Sequence, residues 1–166
     1  MVPKSLQRYI DKLGVKVEAV EHKRVYTTFD LAQTTGRKLE SIAKSLLVKV
    51  TPHYGKDKSK YVIAVLPASH QLDFKALKRY LKVRGVALPK EGVMTKLFKM
   101  RPGALTAFGP LHRRTPVVLD RSLLKAKRIL ARSGSFTDSI ALSGRDFIRA
   151  TAGEVATFAR RIRRRK

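Results

Sequence analysis

Three short segments of the sequence carry residues that could bind or orient an anionic substrate. Lys44 stands at the entrance of an apolar, strand-like run, where a cation suits a negatively charged group. Residues 102–109 carry a glycine near each end, and glycine lets the backbone approach a ligand closely. His22 is followed by Thr27 and Thr28 at the predicted start of a helix, and a helix N-terminus attracts anions. All three segments therefore point to anion binding.

Each of these segments also has a simpler structural explanation. Taken alone, Lys44 is more typical of a solvated lysine that neutralises the last carbonyls of a helix. The glycines at both ends of residues 102–109 are equally typical of a turn between a helix and a strand. Thr28 is a common type of helix cap. No segment assigns a function by itself.

Several common catalytic sites are excluded by the sequence. The chain has no cysteine, so disulfides, thiolate zinc sites and cysteine nucleophiles are excluded. It also lacks the phosphate-binding loop, the dinucleotide fingerprint and the serine-hydrolase elbow. Ser69 and His70 are adjacent, but neighbouring side chains usually point apart, which argues against a nucleophile–base pair. The histidines are too scattered for a local metal motif, so we expect neither a metal nor a cofactor: His22, His53, His70 and His112.

The net charge of the chain is its strongest bulk property. Lysine and arginine number 37 against 12 acidic residues, a formal net charge of +25. Such an excess opposes compaction unless a polyanion is a regular partner. Nucleic acid is the first candidate and an anionic membrane surface the second, while charge that serves solubility alone is the third interpretation. No apolar run is long enough to span a bilayer, and we expect a soluble, cytoplasmic protein.

Basic residues concentrate in two parts of the chain. Residues 75–101 contain nine lysines and arginines and one acid, and residues 160–166 are almost entirely basic. We interpret the C-terminal run as a phosphate-binding arm, with a solvated tail as the alternative. The residues predicted to contact RNA are Lys75, Lys78, Arg79, Lys82, Arg160, Arg161, Arg163, Arg164 and Arg165.

The hydrophobic pattern predicts a single α+β domain over residues 1–159, followed by a basic tail over residues 160–166. Helices and strands mix without a regular strand–helix–strand alternation, which favours a mixed sheet flanked by helices. The predicted helices cover residues 5–13, 29–35, 74–84, 91–100 and 153–160, with a helical turn at residues 39–43 and a short helix from residue 121. The predicted strands cover residues 15–21, 45–50, 61–66, 115–119, 129–132 and 139–142.

In order and spacing, the His22, Lys44 and glycine-containing segments, together with the apolar strands, resemble the YbaK/prolyl-tRNA synthetase-associated domain family. Its members are aminoacyl-tRNA deacylases that edit mischarged tRNA. The resemblance covers the chain from about residue 5 to residue 158. The Lys44 strand and the glycine-containing loop are its most specific parts. The matching segments are residues 22–28, 43–48, 62–68 with 72–73, 102–109 and 117–120.

The resemblance implies a site and a reaction. Lys44 matches the lysine expected to hold the phosphate near the tRNA 3′ end, and residues 103–107 match the loop that positions the aminoacyl ester. Family members orient water and the terminal ribose hydroxyl, without a protein nucleophile or a metal. The implied fold is a partly barrel-like mixed sheet, and the implied partners are mischarged tRNA and an aminoacyl-tRNA synthetase. The implied catalytic residues are Lys44, Gly103 and Ala107. The candidate substrate-binding residues are His22, Thr27, Thr28, Ser69, Leu105, Thr106, Phe108, Gly109 and Thr137.

Two positions depart from the family pattern. Ala107 stands where the family loop commonly carries proline, and Thr137 stands in a segment where some members carry histidine. Both lie where the amino-acid pocket is expected. The main hypothesis is a trans-editing deacylase for a small mischarged amino acid, and the alternative is an RNA-binding module of the same fold that does not hydrolyse esters.

Overall fold

The computed structural model describes residues 1–90, 92–101 and 103–163. The α-helices are α1 (Lys4–Leu13), α2 (Thr28–Thr35), α3 (Phe74–Leu81), α4 (Val93–Phe98) and α5 (Gly144–Thr151). The strands are β1 (Glu18–Glu21), β2 (Ala43–Tyr54), β3 (Ser59–Pro67), β4 (His70–Leu72), β5 (Gly85–Ala87), β6 (Val117–Asp120), β7 (Ile129–Arg132), β8 (Asp138–Leu142), β9 (Glu154–Ala156) and β10 (Ala159–Arg161). Short 3₁₀ helices cover Leu39–Ser41, Gly109–Leu111 and Arg121–Lys125.

A five-stranded mixed sheet forms the centre of the fold, with the strand order β5-β2-β3-β6-β9. Strand β2 pairs antiparallel with β3 and β5, whereas β3 and β6, and β6 and β9, pair in parallel. The predicted α+β fold with a mixed sheet is therefore confirmed. Among the described residues the sheet stays open, with β5 and β9 as its edges, so the barrel-like part of the prediction does not extend to a closed barrel.

Strand β3 is buried on both faces. Ile63 and Val65 pack in one hydrophobic cluster, with residues of α1 and α5, whereas Val62, Ala64 and Leu66 pack in another, with residues of α3. Successive side chains of a strand point to opposite faces of the sheet. Burial on both faces therefore explains the unbroken apolar run in the sequence.

Two smaller sheets complete the fold. Strands β1, β8 and β7 form an antiparallel sheet, and β4 pairs with β10. A parallel bridge between Ile42 and Leu130 brings the start of β7 beside the start of β2. No helix of the described residues is long and apolar enough to cross a membrane.

The predicted C-terminal helix over residues 153–160 is wrong. The last helix is α5, which Ser143 caps by accepting a hydrogen bond from the Asp146 backbone N–H at 3.2 Å. It ends at Thr151, and the next residue, Ala152, has a left-handed φ of 54°. The following residues form β9 and β10, and Phe158 is buried between them in the cluster with α3. Pairing with distant strands overrides the helix-like spacing of the apolar residues in this segment.

Strand β10 takes up the first residues of the predicted basic tail. Arg160 and Arg161 pair with Gln71 and His70 of β4. Beyond β10, the Ile162 backbone N–H donates to the Ser69 carbonyl oxygen at 3.0 Å. Arg164 and Arg165 lie outside the described residues.

Asp120 joins β10 to the central sheet. Its carboxylate is 1% exposed, and Oδ1 accepts hydrogen bonds from the backbone N–H groups of Phe158 at 2.8 Å and Ala159 at 2.9 Å. Oδ2 accepts from the Ser122 backbone N–H at 3.1 Å and from the Ser122 hydroxyl. One buried carboxylate thus fixes both the C-terminal strand and the 3₁₀ helix after β6.

Replacing Asp120 with alanine should lower the free energy of unfolding by about 3 kcal/mol, since each buried donor left unpaired costs about 1–3 kcal/mol. Urea denaturation would measure the change. Asp57→Ala is a suitable control because Asp57 is exposed in the turn between β2 and β3. If both variants unfold at the same urea concentration, Asp120 does not anchor the strand.

Candidate functional site

Lys44 lies within β2, as the second residue of the strand, and pairs with Leu66 of β3. The preceding 3₁₀ helix ends at Ser41, so Lys44 is not a helix-end lysine. Its side chain is partly buried, and Nζ donates a hydrogen bond to the His70 carbonyl oxygen at 2.7 Å. Burial lowers the pKa of Lys44 because desolvation disfavours the charged form. The amine is therefore a partly desolvated cation held in a fixed position.

Lys44 opens onto a cavity of about 430 Å³, which we call the Lys44 cavity. The N-terminus of α2 forms one wall, where the Thr27 hydroxyl accepts a hydrogen bond from the Asp30 backbone N–H at 3.0 Å. A helix N-terminus and an amine beside one cavity both favour an anion. The lining residues are Tyr26, Thr27, Thr28, Ala43, Lys44, Ser45, Leu46, Leu47, Leu88, Pro89, Met94, Gly103, Leu105 and Arg132. Of the predicted site residues, the cavity brings together Lys44, Thr27, Thr28, Gly103 and Leu105.

Gly103 places the predicted loop against the segment before α2. Its φ is +87°, and a Cβ built at this position would lie 2.9 Å from the Tyr26 carbonyl oxygen. Both the backbone conformation and the close approach require glycine. Pro102, the preceding residue, lies outside the described residues.

The other predicted loop residues are buried behind the cavity. Ala107 and Phe108 are 1% and 0% exposed and belong to the main hydrophobic cluster. The Thr106 hydroxyl lies 2.6 Å from Nε2 of His112, and Gly109 packs closely against the Thr115 carbonyl. These residues support the loop from the core and are not among those that line the Lys44 cavity.

His22 and Thr137 lie together at the sheet of β1, β8 and β7. Nε2 of His22 is 2.9 Å from the Ser139 hydroxyl, and the His22 backbone N–H donates to the Thr137 carbonyl at 2.9 Å. The Thr137 hydroxyl donates to the Asp138 carboxylate at 2.9 Å. Neither His22 nor Thr137 is among the residues that line the Lys44 cavity.

Ser69 and His70 are in contact, so the expectation that their side chains point apart is wrong. The Ser69 hydroxyl lies 2.8 Å from Nδ1 of His70. Ser69 belongs to the turn between β3 and β4, where the alternation of a regular strand does not apply. Among the described residues no carboxylate hydrogen-bonds the His70 ring, so the pair lacks the third group of a catalytic triad. Ser69 lines a separate groove, with Phe29 and Arg161.

Arg132 is a candidate site residue that the sequence motifs do not include. It is 5% exposed, lines the Lys44 cavity, and donates from Nη1 to the Val25 carbonyl at 3.0 Å. Burial lowers its pKa. It forms no ion pair with a carboxylate of the described residues. The sequence feature that points to Arg132 is a charged residue at the end of an otherwise apolar strand, residues 129–132.

The basic residues predicted to contact RNA occupy several exposed surfaces. Lys75, Lys78 and Arg79 are exposed on α3, and Lys82 follows its C-terminus. Arg160 and Arg161 are exposed on β10. None of these residues lines the Lys44 cavity. Within the described part of the chain no cluster of histidine, aspartate and glutamate has the geometry to hold a metal ion.

Residues 22–150 match the family model described as the aminoacyl-tRNA editing domain. The chain belongs to this family. The family assignment confirms the resemblance read from the sequence, since the matched region contains the Lys44 cavity and the Gly103 loop.

Individual relatives of this editing-domain chain are distant in sequence but similar over 90% or more of their length. The prolyl-tRNA editing protein ProX of Acetoanaerobium sticklandii is 22% identical over 152 residues, which are 90% of each chain. A solved structure described as a candidate trans-editing enzyme for prolyl tRNA synthetase has a TM-score of 0.76 at 19% identity, covering 96% of this chain and 99% of that one. A structure described only as a hypothetical protein has a TM-score of 0.82 at 20% identity, covering 95% and 100%. These structures support the same fold.

Proposed function

We propose that this editing domain acts in trans and hydrolyses the ester that joins a small, wrongly attached amino acid to tRNA. The observation that carries the proposal is the Lys44 cavity, where a desolvated amine, the N-terminus of α2 and the Gly103 loop meet. An amine and a helix N-terminus suit the phosphate next to the ester. Gly103 is exposed and has no side chain, so its backbone suits the ester itself.

The proposed reaction needs no nucleophile from the protein. Water adds to the ester carbonyl carbon, the bond from that carbon to the terminal ribose oxygen breaks, and the ribose oxygen takes up a proton. Lys44 holds the phosphate, and residues 103–105 hold the carbonyl, so water and ester meet in a fixed geometry. Positioning of this kind accounts for large rate enhancements without covalent catalysis.

A small apolar amino acid fits the lining of the cavity. Leu47, Met94 and Leu105 contribute apolar surface beside the cationic part of the cavity. One methylene group gives a synthetase only about 1–3 kcal/mol of discrimination, so similar small amino acids are attached by mistake and a second hydrolytic site is useful.

A second candidate function is RNA binding without hydrolysis. Ala107 and Thr137 are the observations that favour it, because both differ from the family pattern. The side chain of Ala107 is buried in the hydrophobic core, and Thr137 is hydrogen-bonded to Asp138. Neither side chain has a free group directed into the Lys44 cavity.

A panel of tRNAs, each charged with a different small amino acid, separates the two functions. The deacylase hydrolyses at least one member faster than the spontaneous rate, with a preference among amino acids. Tight binding of tRNA with no hydrolysis of any member would support the second function and rule out the first.

Arg132 acts in this proposal as a positioning residue, because its bond to the Val25 carbonyl holds the segment that leads to Thr27 and Thr28. Arg132→Met should lower kcat by about 10- to 100-fold, since displacement of positioning groups by an ångström has effects of this size. Arg132→Lys keeps a donor and should recover part of kcat.

The exposed Arg145 of α5 provides a control for the loss of charge. Arg145→Met should leave kcat and KM unchanged. If Arg132→Met changes only the unfolding midpoint, with kcat intact in the folded protein, Arg132 has no positioning role.

A further inference from the structure

A second cavity has a volume of about 350 Å³ and shares no lining residue with the Lys44 cavity. His70 connects the two, because its carbonyl oxygen accepts the hydrogen bond from Lys44 while the residue also lines the second cavity. We call this second site the basic cavity. Its lining residues are Lys38, Glu40, Ser41, Pro67, His70, Ser122, Lys125, Ala126, Lys127, Arg128 and Arg161.

The charge of the basic cavity is strongly unbalanced, with five lysine and arginine residues against the single acid Glu40. Glu40 is engaged by Arg161, whose Nη2 donates to it at 2.8 Å. Arg128 lies 3.6 Å from Glu18 and donates to the Ala141 carbonyl. The three lysines form no ion pair with a carboxylate of the described residues: Lys38, Lys125 and Lys127.

Three separate parts of the fold bring these cations together. Lys125 ends the 3₁₀ helix after β6, and Lys127 follows it before β7. Lys38 precedes the 3₁₀ helix Leu39–Ser41, and Arg161 belongs to β10. Asp120 fixes two of these parts, because it accepts hydrogen bonds from Ser122 and from the start of β10.

Like charges held around one cavity repel each other, and an anionic ligand relieves the repulsion. The Ser41 and Ser122 hydroxyls already donate to the Lys38 carbonyl and the Asp120 carboxylate, so the lysine ammonium groups are the donors that remain for a ligand. Lysine ammonium groups are common donors to phosphate oxygens in nucleic-acid complexes. The composition of the cavity therefore matches the sugar–phosphate backbone of RNA.

We propose that the basic cavity binds phosphates of the RNA strand that leads to the aminoacylated terminus. The inference rests on the proposed function, which places the terminal phosphate at Lys44. Since His70 lines the basic cavity and its carbonyl oxygen accepts the hydrogen bond from Lys44, one strand can contact the basic cavity and then enter the Lys44 cavity. Contacts to phosphates set the position of the strand without reading its sequence.

Two variants, each with three lysines replaced, compare the contribution of the basic cavity to RNA binding with that of the exposed surface of α3. Lys38→Ala/Lys125→Ala/Lys127→Ala removes the unpaired lysines of the basic cavity, and Lys75→Ala/Lys78→Ala/Lys82→Ala removes the same charge at α3. Fluorescence anisotropy with labelled, uncharged tRNA measures affinity across a salt series. For the cavity variant we expect affinity to fall by about tenfold or more and the log–log salt slope to become shallower by about 2–3. The α3 variant should lose clearly less affinity.

The outcomes separate this proposal from the proposed function. Equal losses in the two variants, or a larger loss in the α3 variant, overturn the basic cavity as the RNA site. Tight binding of inorganic phosphate that the cavity variant loses, while its affinity for tRNA equals that of the wild type, would assign the cavity to a free phosphate and also overturn it. Hydrolysis of an aminoacyl ester on a terminal nucleotide by the wild-type protein tests the proposed function alone, since this substrate has no preceding strand.

Discussion

Replacing Lys44 with alanine is expected to lower the rate of ester hydrolysis by about 100-fold, the size of effect that follows when a bound substrate is mispositioned. The amine is the fixed cation of the Lys44 cavity, and its hydrogen bond to the His70 carbonyl sets its position. The loss should appear in kcat as well as in KM, because energy from binding the phosphate is used to orient the ester. Single-turnover hydrolysis of mischarged tRNA measures the effect.

Lys49→Ala is the matched control for Lys44→Ala. Lys49 lies on the same strand and is exposed, so its removal changes the net charge equally without altering the Lys44 cavity. Circular dichroism would verify that both variants fold. Equal rates for wild type and folded Lys44→Ala would remove Lys44 from the mechanism.

The depressed pKa of Lys44 adds a dependence on pH. Because burial lowers this pKa, the amine loses its positive charge at a lower pH than an exposed lysine does. Affinity for uncharged tRNA should therefore weaken at an earlier point of an alkaline titration in the wild type than in Lys44→Arg, whose guanidinium stays charged. Identical profiles for the two proteins would show that the Lys44 charge does not contribute to binding.

Replacing Gly103 with alanine is expected to disturb the loop directly. The left-handed backbone conformation costs a non-glycine residue about 1–3 kcal/mol. The new methyl group would also meet the Tyr26 carbonyl at 2.9 Å, which forces the loop away from the segment before α2. We expect hydrolysis to fall by at least about tenfold, since the loop holds the ester in the proposed mechanism.

Gly92 allows the two contributions of Gly103 to be separated. Its φ of +90° matches that of Gly103, but a Cβ at Gly92 would have no atom within 4 Å. Gly92→Ala should therefore show the backbone strain without the displacement of the loop, and hydrolysis should stay near the wild-type rate. Similar losses of hydrolysis in both variants would argue that strain, and not the contact with Tyr26, accounts for the effect of Gly103→Ala.

The long, buried elements of this fold could be predicted because their signals are local. Strand β3 shows as an apolar run with burial on both faces, and Asp73 caps α3 by accepting from the Ala76 backbone N–H. The short strands carry no comparable signal. Strands β4, β5, β9 and β10 have three residues each, and pairing with strands distant in sequence defines them. The spacing of the apolar residues in 153–160 therefore predicts a helix where the structure has β9 and β10.

The candidate site also contains residues that the sequence predicts and residues that only the fold brings together. Lys44, Thr27 and Gly103 lie in segments with recognisable spacing, and the cavity brings them together. Arg132 belongs to the same cavity, but its role depends on a backbone carbonyl 107 positions earlier in the chain. The basic cavity combines residues near positions 38, 125 and 161. Proximity of this kind follows from the topology of the sheets and leaves no pattern along the sequence.

The hydrogen bond from the Ile162 backbone N–H to the Ser69 carbonyl offers a reporter of RNA occupancy. Ile162 follows β10, and its side chain is exposed. The preceding residue, Arg161, lines the basic cavity. Hydrogen exchange of the Ile162 amide with solvent therefore measures local opening of the C-terminal strand, independently of global unfolding. NMR can follow the protection of this one amide during a titration with uncharged tRNA. Because uncharged tRNA has no ester to cleave, the protection would report how firmly bound RNA holds β10.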